Sequence, residues 1–383
     1  MAKLKIRSNG SVSSYKIIDT LAQVSVLLLQ ATNFCSRVIY LSPHINLLRI
    51  SSIMIMSFCL ILKYKKRVLS TKGVIIILLM VMGSMFSLLA TNDYLFCYIV
   101  LLMALYMGDS FKKIIKIDYI TKMTILIFVL VNYWLGLTNQ QMFYREGVVR
   151  ETFGFTHPNI LGYILISIVS DIMVLHQKTS GRNIVKAASA AVASIAVSFL
   201  AGARSASLTI SLLLLNYILV RKKDRHKRKP FLFAIIPFAL VGFSIFSTAL
   251  YKTGTTEFIK LNDLLSDRLR YQYVYENAYE VNLMGRAISY ENIPLDNGYY
   301  RVVYSYGIIG LFTIMGLLSI SLYKAEKNNL TILRNIIILY LVYAFSEWYP
   351  LRLSTTPFGF IAISDIPNPK INQSIDEKEI NKT

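Results

Sequence analysis

Residues 251–297 read YKTGTTEFIKLNDLLSDRLRYQYVYENAYEVNLMGRAISYENIPLDN, a long polar stretch in a chain built mostly of apolar runs. The chain is apolar just before it, at residues 231–250, and again just after it, at residues 299–323. Apolar runs of about 20 residues have the length that a helix needs to cross a membrane. Apolar residues recur at spacings of three to five from Leu261 to Val274, which predicts an amphipathic helix. We therefore expect a loop outside the membrane that folds against its surface.

The composition supports a membrane protein, since 55% of the residues are hydrophobic, 16% are charged and the mean hydropathy is +0.51. The apolar runs are continuous rather than alternating, which favours helices over a barrel. We predict an all-α, polytopic integral membrane protein with about 11–12 transmembrane helices in a single domain, residues 1–383. Residues 251–297 form its long extracytoplasmic loop and residues 367–383 its C-terminal tail. The predicted spans are 17–34, 45–63, 73–90, 94–108, 119–137, 159–176, 184–200, 205–220, 231–250, 299–323 and 330–346, with a broken last segment at 353–366.

The short run at 94–108 and the broken segment at 353–366 could each be re-entrant instead. Basic loops mark the cytoplasmic side of a membrane protein. With a cytoplasmic N-terminus, every strongly basic loop falls on that side, including RKKDRHKRK at residues 221–229. That run has no interleaved aromatic residues, so anionic lipid headgroups explain it and nucleic acid is not an expected partner.

The predicted outer side carries 12 basic residues, and 10 of them are arginine. The guanidinium group binds phosphate or carboxylate through two hydrogen bonds and stays charged when it is partly desolvated. Individual arginines can also pair with acidic residues or headgroups, but the set as a whole favours an anionic substrate.

Two short motifs on this side carry candidate residues. REGVVRETFGFTHPNILG, at residues 145–162, contains Arg150, His157 and Asn159 at the start of a predicted helix. Free backbone N–H groups at a helix start favour an anion, although His157 and Asn159 could equally be helix caps. AGARSAS, at residues 201–207, places Arg204 among small residues in a tight turn; the alternative is an arginine that reaches to the membrane surface.

The long loop supplies the remaining candidates, together with one acid near the end of the chain. Arg268 and Arg270 lie in SDRLRY, Arg286 in MGR, Asp296 and Asn297 before a predicted helix, and Glu347 in FSEWYP. Only one of Asp296 and Asn297 can cap that helix. The candidate general bases are Asp296, His157 and Glu347. No group of acids and histidines has metal-ligand spacing, so we predict no metal and no cofactor.

FGFTHPNILG, the GARSA turn, MGR and LDNGYYRVVYSYGIIG together resemble the Wzy-type polysaccharide polymerases of the O-antigen ligase superfamily. The resemblance implies a multi-pass protein of the bacterial plasma membrane with an extracytoplasmic active site. It implies transfer of a growing glycan from undecaprenyl pyrophosphate onto a fresh lipid-linked oligosaccharide unit. The polar residues implied for this reaction are Arg150, His157, Asn159, Arg204, Arg268, Asp296, Asn297 and Glu347.

One family motif, an arginine eleven residues before a glycine, is absent at Arg150 and Arg268, so its roles are not transferred. The expected partners are the lipid-linked donor and acceptor, the bilayer, a chain-length regulator and a flippase. Three alternatives stay open: an O-antigen-type ligase, a flippase or other transporter of lipid-linked oligosaccharides, and a structural or sensory membrane protein.

Overall fold

The chain folds into a bundle of helices in a computed structural model. The structure describes residues 12–65, 94–139, 142–145, 148–176, 181–220, 229–265, 267–288, 290 and 294–366. The predicted span at 73–90, the basic run at 221–228 and the tail at 367–383 lie outside these residues. The helices are α1 Val12–Phe34, α2 Ile45–Lys65, α3 Leu95–Tyr106, α4 Phe111–Trp134, α5 Pro158–Leu175, α6 Gly181–Leu200, α7 Arg204–Val220, α8 Pro230–Lys252, α9 Thr256–Leu264, α10 Arg268–Ala278, α11 Gly298–Lys327 and α12 Thr331–Tyr343.

Within the described ranges, five helical segments are long and apolar enough to cross a membrane: Ile17–Phe34, Ser42–Lys63, Pro158–Leu175, Pro230–Lys252 and Gly298–Lys327. Four shorter helices, α3, most of α6, α7 and α12, are also apolar. Only 22% of the apolar window in α8 is buried in the protein, whereas 83% of that in α5 is. An apolar helix that leaves most of its surface uncovered fits a lipid environment. The largely helical architecture and these apolar helices agree with the predicted all-α membrane fold.

The bundle is built from helix pairs, with α1 on α2, α4 on α5, α6 on α7 and α8 on α11. The described parts of the loops that the sequence places outside meet at one end of the bundle. There the end of α1, the starts of α5 and α11, and the residues that follow α12 lie side by side. We call this the arginine end. Its position relative to the membrane stays a prediction.

The long loop differs from the predicted single amphipathic helix, because it contains two helices, α9 and α10. They are separated at Asp267, which has a left-handed φ of 62°. Asn262 holds the break together: its side chain bonds to the Asp267 carboxylate at 2.9 Å and to the Arg270 backbone N–H at 3.0 Å. A two-stranded antiparallel hairpin, β1 Met142–Arg145 and β2 Val148–Glu151, was not predicted from the sequence.

The segment at 353–366 is not a continuous transmembrane helix. Short 3₁₀ helices at Tyr349–Leu351 and Phe358–Ala362 carry the chain through the buried interior of the bundle. It reaches the opposite end, where the Asp365 N–H bonds to the Asp109 carbonyl at 2.9 Å. Pro357 removes a helix donor, and irregular backbone is tolerated at membrane depth when it is enclosed in protein.

Candidate active site

His157 is the N-cap of α5, and Pro158 occupies the first turn. Its Nδ1 atom accepts a hydrogen bond from the Asn159 backbone N–H at 3.1 Å. His157 therefore does cap this helix, and it also lines the cavity described below. Because a backbone N–H can only donate, the neutral ring must carry its proton on Nε2. Burial lowers the pKa of His157 to about 4, so the ring is neutral near pH 7. It lies edge-on against Phe143 of the hairpin, with 4.8 Å between ring centroids.

Arg150, in strand β2, links the start of α5 to the turn before α7. Its guanidinium donates to the Asn159 side-chain oxygen at 3.1 Å and to the Gly202 carbonyl at 2.6 Å. Gly202 has a φ of +66°, and an added Cβ would lie 2.8 Å from the Arg150 Nε atom. The GARSA turn thus contributes a carbonyl acceptor and room for Arg150. Arg204 is exposed at the start of α7 and is not among the cavity-lining residues.

Glu347 lies just beyond α12 and is buried. Its Oε1 atom accepts a hydrogen bond from the Asn159 side-chain amide, so Asn159 joins Arg150 to Glu347. Burial raises the pKa of Glu347 well above its ordinary value, and the nearby negative charge of Asp296 acts in the same direction. Arg268 and Arg150 oppose this shift. A raised pKa is expected for a carboxyl group that is enclosed by protein atoms, as Glu347 is.

Arg268, the first residue of α10, is held by two backbone carbonyls. Its Nε donates to Ser346 at 3.0 Å and its Nη1 donates to Leu265 at 2.8 Å. The remaining nitrogen, Nη2, lies 3.5 Å from the Glu347 carboxylate and 3.8 Å from that of Asp296. The two acids differ in accessibility: the side chain of Asp296 is 39% exposed and that of Glu347 is 2% exposed.

The N-cap of α11 is Asn297 and not Asp296. Its side-chain oxygen accepts hydrogen bonds from the backbone N–H groups of Tyr299 and Tyr300, at 3.0 and 3.1 Å. Its amide donates to the Ser244 hydroxyl at 2.9 Å. Asn297 is buried and does not line the cavity. Asp296 is left facing the cavity with no capping role.

These side chains surround a cavity of about 670 Å³ at the arginine end. This volume lies within the usual range for small-ligand sites, about 300–1,000 Å³. Six predicted site residues line it: Arg150, His157, Asn159, Arg268, Asp296 and Glu347. Four others do not: Arg204 and Arg270 are exposed elsewhere, Asn297 is buried in its capping position, and Arg286 lines a neighbouring cavity.

The cavity wall also contains an aromatic clamp that was not predicted from the sequence. The guanidinium of Arg301 lies 4.1 Å from the ring centroid of Tyr290 and 4.2 Å from that of Trp348. Such stacking fixes the guanidinium plane and leaves its N–H groups available at the edges. Arg301 belonged to the outer arginine set in the sequence, but 11 positions separate it from Tyr290 and 47 from Trp348. No local pattern connects residues so far apart.

The cavity therefore offers three fixed arginines, one partly exposed carboxylate, one buried carboxyl group and one neutral imidazole. Within the described ranges, no group of three or more His, Cys, Asp or Glu side chains is arranged to hold a metal ion. The arrangement can bind an anion and take up a proton within a few ångströms of it. No family model, curated protein or solved structure is significantly similar to this chain.

Proposed function

We propose that this chain is a membrane glycosyltransferase. It polymerises oligosaccharide units linked to undecaprenyl pyrophosphate into a cell-surface polysaccharide, on the outer face of the bacterial plasma membrane. The observation that carries the proposal is the partly exposed Asp296 carboxylate beside Arg268 at one end of an apolar bundle. The choice of substrate follows from the resemblance of the sequence motifs to those of the Wzy-type polymerases. The predicted lysine-rich loops at the opposite end support the outer location.

The reaction has a simple balance. A hydroxyl oxygen of the incoming unit forms a bond to the anomeric carbon of the growing glycan, and the bond from that carbon to the pyrophosphate oxygen breaks. The lipid pyrophosphate leaves with the electron pair, and the base takes the hydroxyl proton. Arg150, Arg268 and Arg301 line the cavity where negative charge would grow on the leaving group. Fixed cations in a partly dry site stabilise such charge without reorganising.

Among the three candidate bases, Asp296 fits best. Glu347 is buried, its pKa is raised, and its oxygen already accepts from Asn159. The Nδ1 lone pair of His157 accepts the N–H bond of its own helix, so its Nε2–H can only donate in the neutral state. We therefore assign Asp296 as the general base. His157 would donate a hydrogen bond to a sugar or phosphate oxygen, and Glu347 would orient Asn159 and Arg268.

The test is Asp296→Asn, scored by the length and amount of polymer made from lipid-linked units at equal protein level. An amide cannot accept the proton, so we expect a loss of about 100- to 10,000-fold in rate. The helix cap is Asn297, so folding should be unaffected. Asp263→Asn, which changes an exposed acid on α9, is the matched control and should retain activity.

Glu347→Gln keeps an oxygen acceptor for Asn159, so we expect a smaller loss, within about tenfold. Normal polymer from Asp296→Asn would overturn the assignment of the base. Transfer of single units without a ladder from the unmodified protein would favour a ligase instead.

A further inference from the structure

A second cavity of about 320 Å³ adjoins the first at the arginine end. The two cavities share Ile288, Tyr290 and Arg301 in their walls. Four arginines line the second cavity: Arg49 from α2, Arg286 from the long loop, Arg301 from α11 and Arg352 from the segment after α12. None of its described lining residues is an aspartate or a glutamate. The first cavity, by contrast, has two carboxylates among its arginines.

The four arginines are anchored without being neutralised. Arg301 and Arg352 lie against the same ring, with their guanidinium carbons 4.2 and 4.7 Å from the Trp348 centroid. Arg286 donates to the Glu280 backbone carbonyl at 2.7 Å, and the Arg49 guanidinium donates to the Asn46 side-chain oxygen over a long distance of 3.4 Å. In the described part of the chain, none of the four forms an ion pair with an acidic side chain.

The Nε atom of Arg352 adds a second observation, because it is buried and has no hydrogen-bond partner. A buried charged donor without an acceptor is costly, and natural structures keep few of them. The protein thus leaves part of the hydrogen-bonding capacity of the Arg352 guanidinium unsatisfied.

The position of Arg286 depends on a close backbone crossing at two glycines. Gly285 has a φ of +81°, and an added Cβ would lie 2.2 Å from the Ser305 carbonyl oxygen. Gly307 has a φ of +70°, and its Cβ would lie 2.3 Å from the Leu283 carbonyl oxygen. The helix α11 kinks at Gly307, and the Arg286 N–H bonds to the Tyr304 carbonyl at 3.2 Å. The MGR motif and the SYG sequence thus fit together to hold Arg286 beside Arg301.

We propose that this second cavity is an anion subsite that binds a phosphate-type group and holds it without cleaving it. Guanidinium groups match phosphate oxygens in geometry and in charge. The described lining offers no carboxylate to repel the anion or to act as a base. The site is therefore suited to binding rather than to proton transfer.

The source of the phosphate rests on the proposed function. Polymerisation brings two lipid-linked substrates together, and each carries a diphosphate. One diphosphate is released in the reaction, while the other must stay intact on the acceptor. The first cavity would hold the reacting diphosphate, and the second would hold either the intact one or a phosphate carried by the glycan. Arg301 lines both cavities, so its guanidinium would contact the group bound in either one.

The experiment measures binding of inorganic pyrophosphate to the purified full-length protein in detergent by titration calorimetry. Arg286→Gln and Arg352→Gln should each weaken binding by about tenfold or more, since each removes charged hydrogen bonds. Arg268→Gln, in the first cavity, should leave this binding event in place. Arg270→Gln removes an exposed arginine two positions along α10 and is the matched control.

Unchanged binding in both Arg286→Gln and Arg352→Gln, or loss of all binding in Arg268→Gln alone, would overturn the subsite. Equal elution volume and melting temperature must first show that each variant is folded. If either Arg286→Gln or Arg352→Gln is unfolded, pyrophosphate binding by the other variant tests the subsite.

Two further probes identify the source. Tighter binding of farnesyl diphosphate than of pyrophosphate, lost in Arg352→Gln, would support the lipid diphosphate. Binding of a sugar phosphate but not of farnesyl diphosphate would support a phosphate on the glycan. Pyrophosphate binding does not depend on turnover, so failure of the proposed function would show as absent polymer with the subsite intact. Failure of the subsite would show as normal polymer with pyrophosphate binding that does not depend on Arg286 or Arg352.

Discussion

Two networks of charged side chains differ in the cation that they use. They also differ in whether the network is closed, meaning that each cation is paired with a carboxylate of the protein. Toward the end of the bundle opposite the cavities lies a lysine network. There Lys113 contacts Asp19 at 2.5 Å and Asp109 at 2.9 Å, and Lys63 lies 3.4 Å from Asp109. Deeper along α4, buried Lys122 pairs with Asp118. At the arginine end, the guanidinium groups of Arg150 and Arg268 are held by backbone carbonyls, and Arg301 by aromatic rings.

The difference suggests how a charged group is kept for a ligand. An ammonium group paired with a carboxylate is satisfied within the protein and has little left to offer. A guanidinium group held by carbonyls or rings keeps its net charge and still has a fixed direction. Arg268 approaches two carboxylates, and those distances, 3.5 and 3.8 Å, are longer than those of the closed Lys113 pairs. We therefore expect changes in the lysine network to alter stability and changes at the arginine end to alter activity.

The largest effect on stability is expected from Lys122→Met. Lys122 is fully buried, bonds to Asp118 and lies 2.5 Å from the Ser167 hydroxyl. Its loss leaves the Asp118 carboxylate buried beside a second buried acid, Asp171, with one amide donor from Gln30 at 2.9 Å. Breaking a buried pair in this way costs about 3–5 kcal/mol. The measurement is the midpoint of unfolding in detergent.

The double variant Asp118→Leu with Lys122→Met is the control, because it removes both charges. Replacing a buried pair by apolar side chains is often neutral, so most of the stability should return. A double variant as unstable as the single one would show that Lys122 acts through packing instead.

The largest effect on activity after that of Asp296 is expected from Arg268→Lys. Lysine keeps the charge, but it cannot bond to Ser346 and Leu265 and still point a donor at the cavity. Losing one fixed donor to a transition-state oxyanion costs about 100- to 1,000-fold in rate. The polymer ladder is the measurement, and Arg270→Lys, an exposed neighbour on α10, should be close to normal. Equal ladders from the two variants would mean that Arg268 acts only as a point charge.

Much of this arrangement could be read from the sequence, because long apolar runs fix the helices and their alternation brings alternate loops to one end. Six residues from three separate loop regions then meet around one cavity. The capping ambiguity at Asp296 and Asn297 was also visible, although only the backbone geometry could resolve it. The resemblance to the Wzy-type polymerases pointed to the same loops.

The remaining features depend on contacts that leave no local signal. Arg204 looked like the functional group of its turn, but the structure uses the carbonyl of Gly202, which no side-chain pattern can mark. The 353–366 segment read as a broken helix because Pro357 and Gly359 interrupt it, yet its path through the bundle depends on neighbours far away in sequence. The clamp around Arg301 joins three such distant residues.

His157 offers a pH-dependent test of the arginine end. Its pKa is lowered to about 4 by burial, against about 6.5 in the unfolded chain. The unfolded state therefore binds a proton that the folded state does not, so stability is complete above pH 6.5 and falls as the pH drops towards 4. The loss amounts to about 3 kcal/mol for a shift of this size. Asparagine at the cap does not titrate, so His157→Asn should lose less stability over the same range. If both proteins lost the same stability as the pH fell from 6.5 towards 4, this account would be wrong.

The smallest effect is expected from Lys113→Gln, which tests whether the lysine network has a role in function. The side chain of Lys113 is 30% exposed, and its partner Asp19 is 45% exposed. Ion pairs in contact with water contribute about 0–1 kcal/mol, because solvent screens them and the side chains lose freedom. Glutamine can still donate a hydrogen bond to Asp109. We therefore expect a melting temperature within a few degrees of normal and an unchanged polymer ladder. A loss of polymer at normal stability would mean that the lysine network takes part in function, and the division between a closed network and an open one would fail.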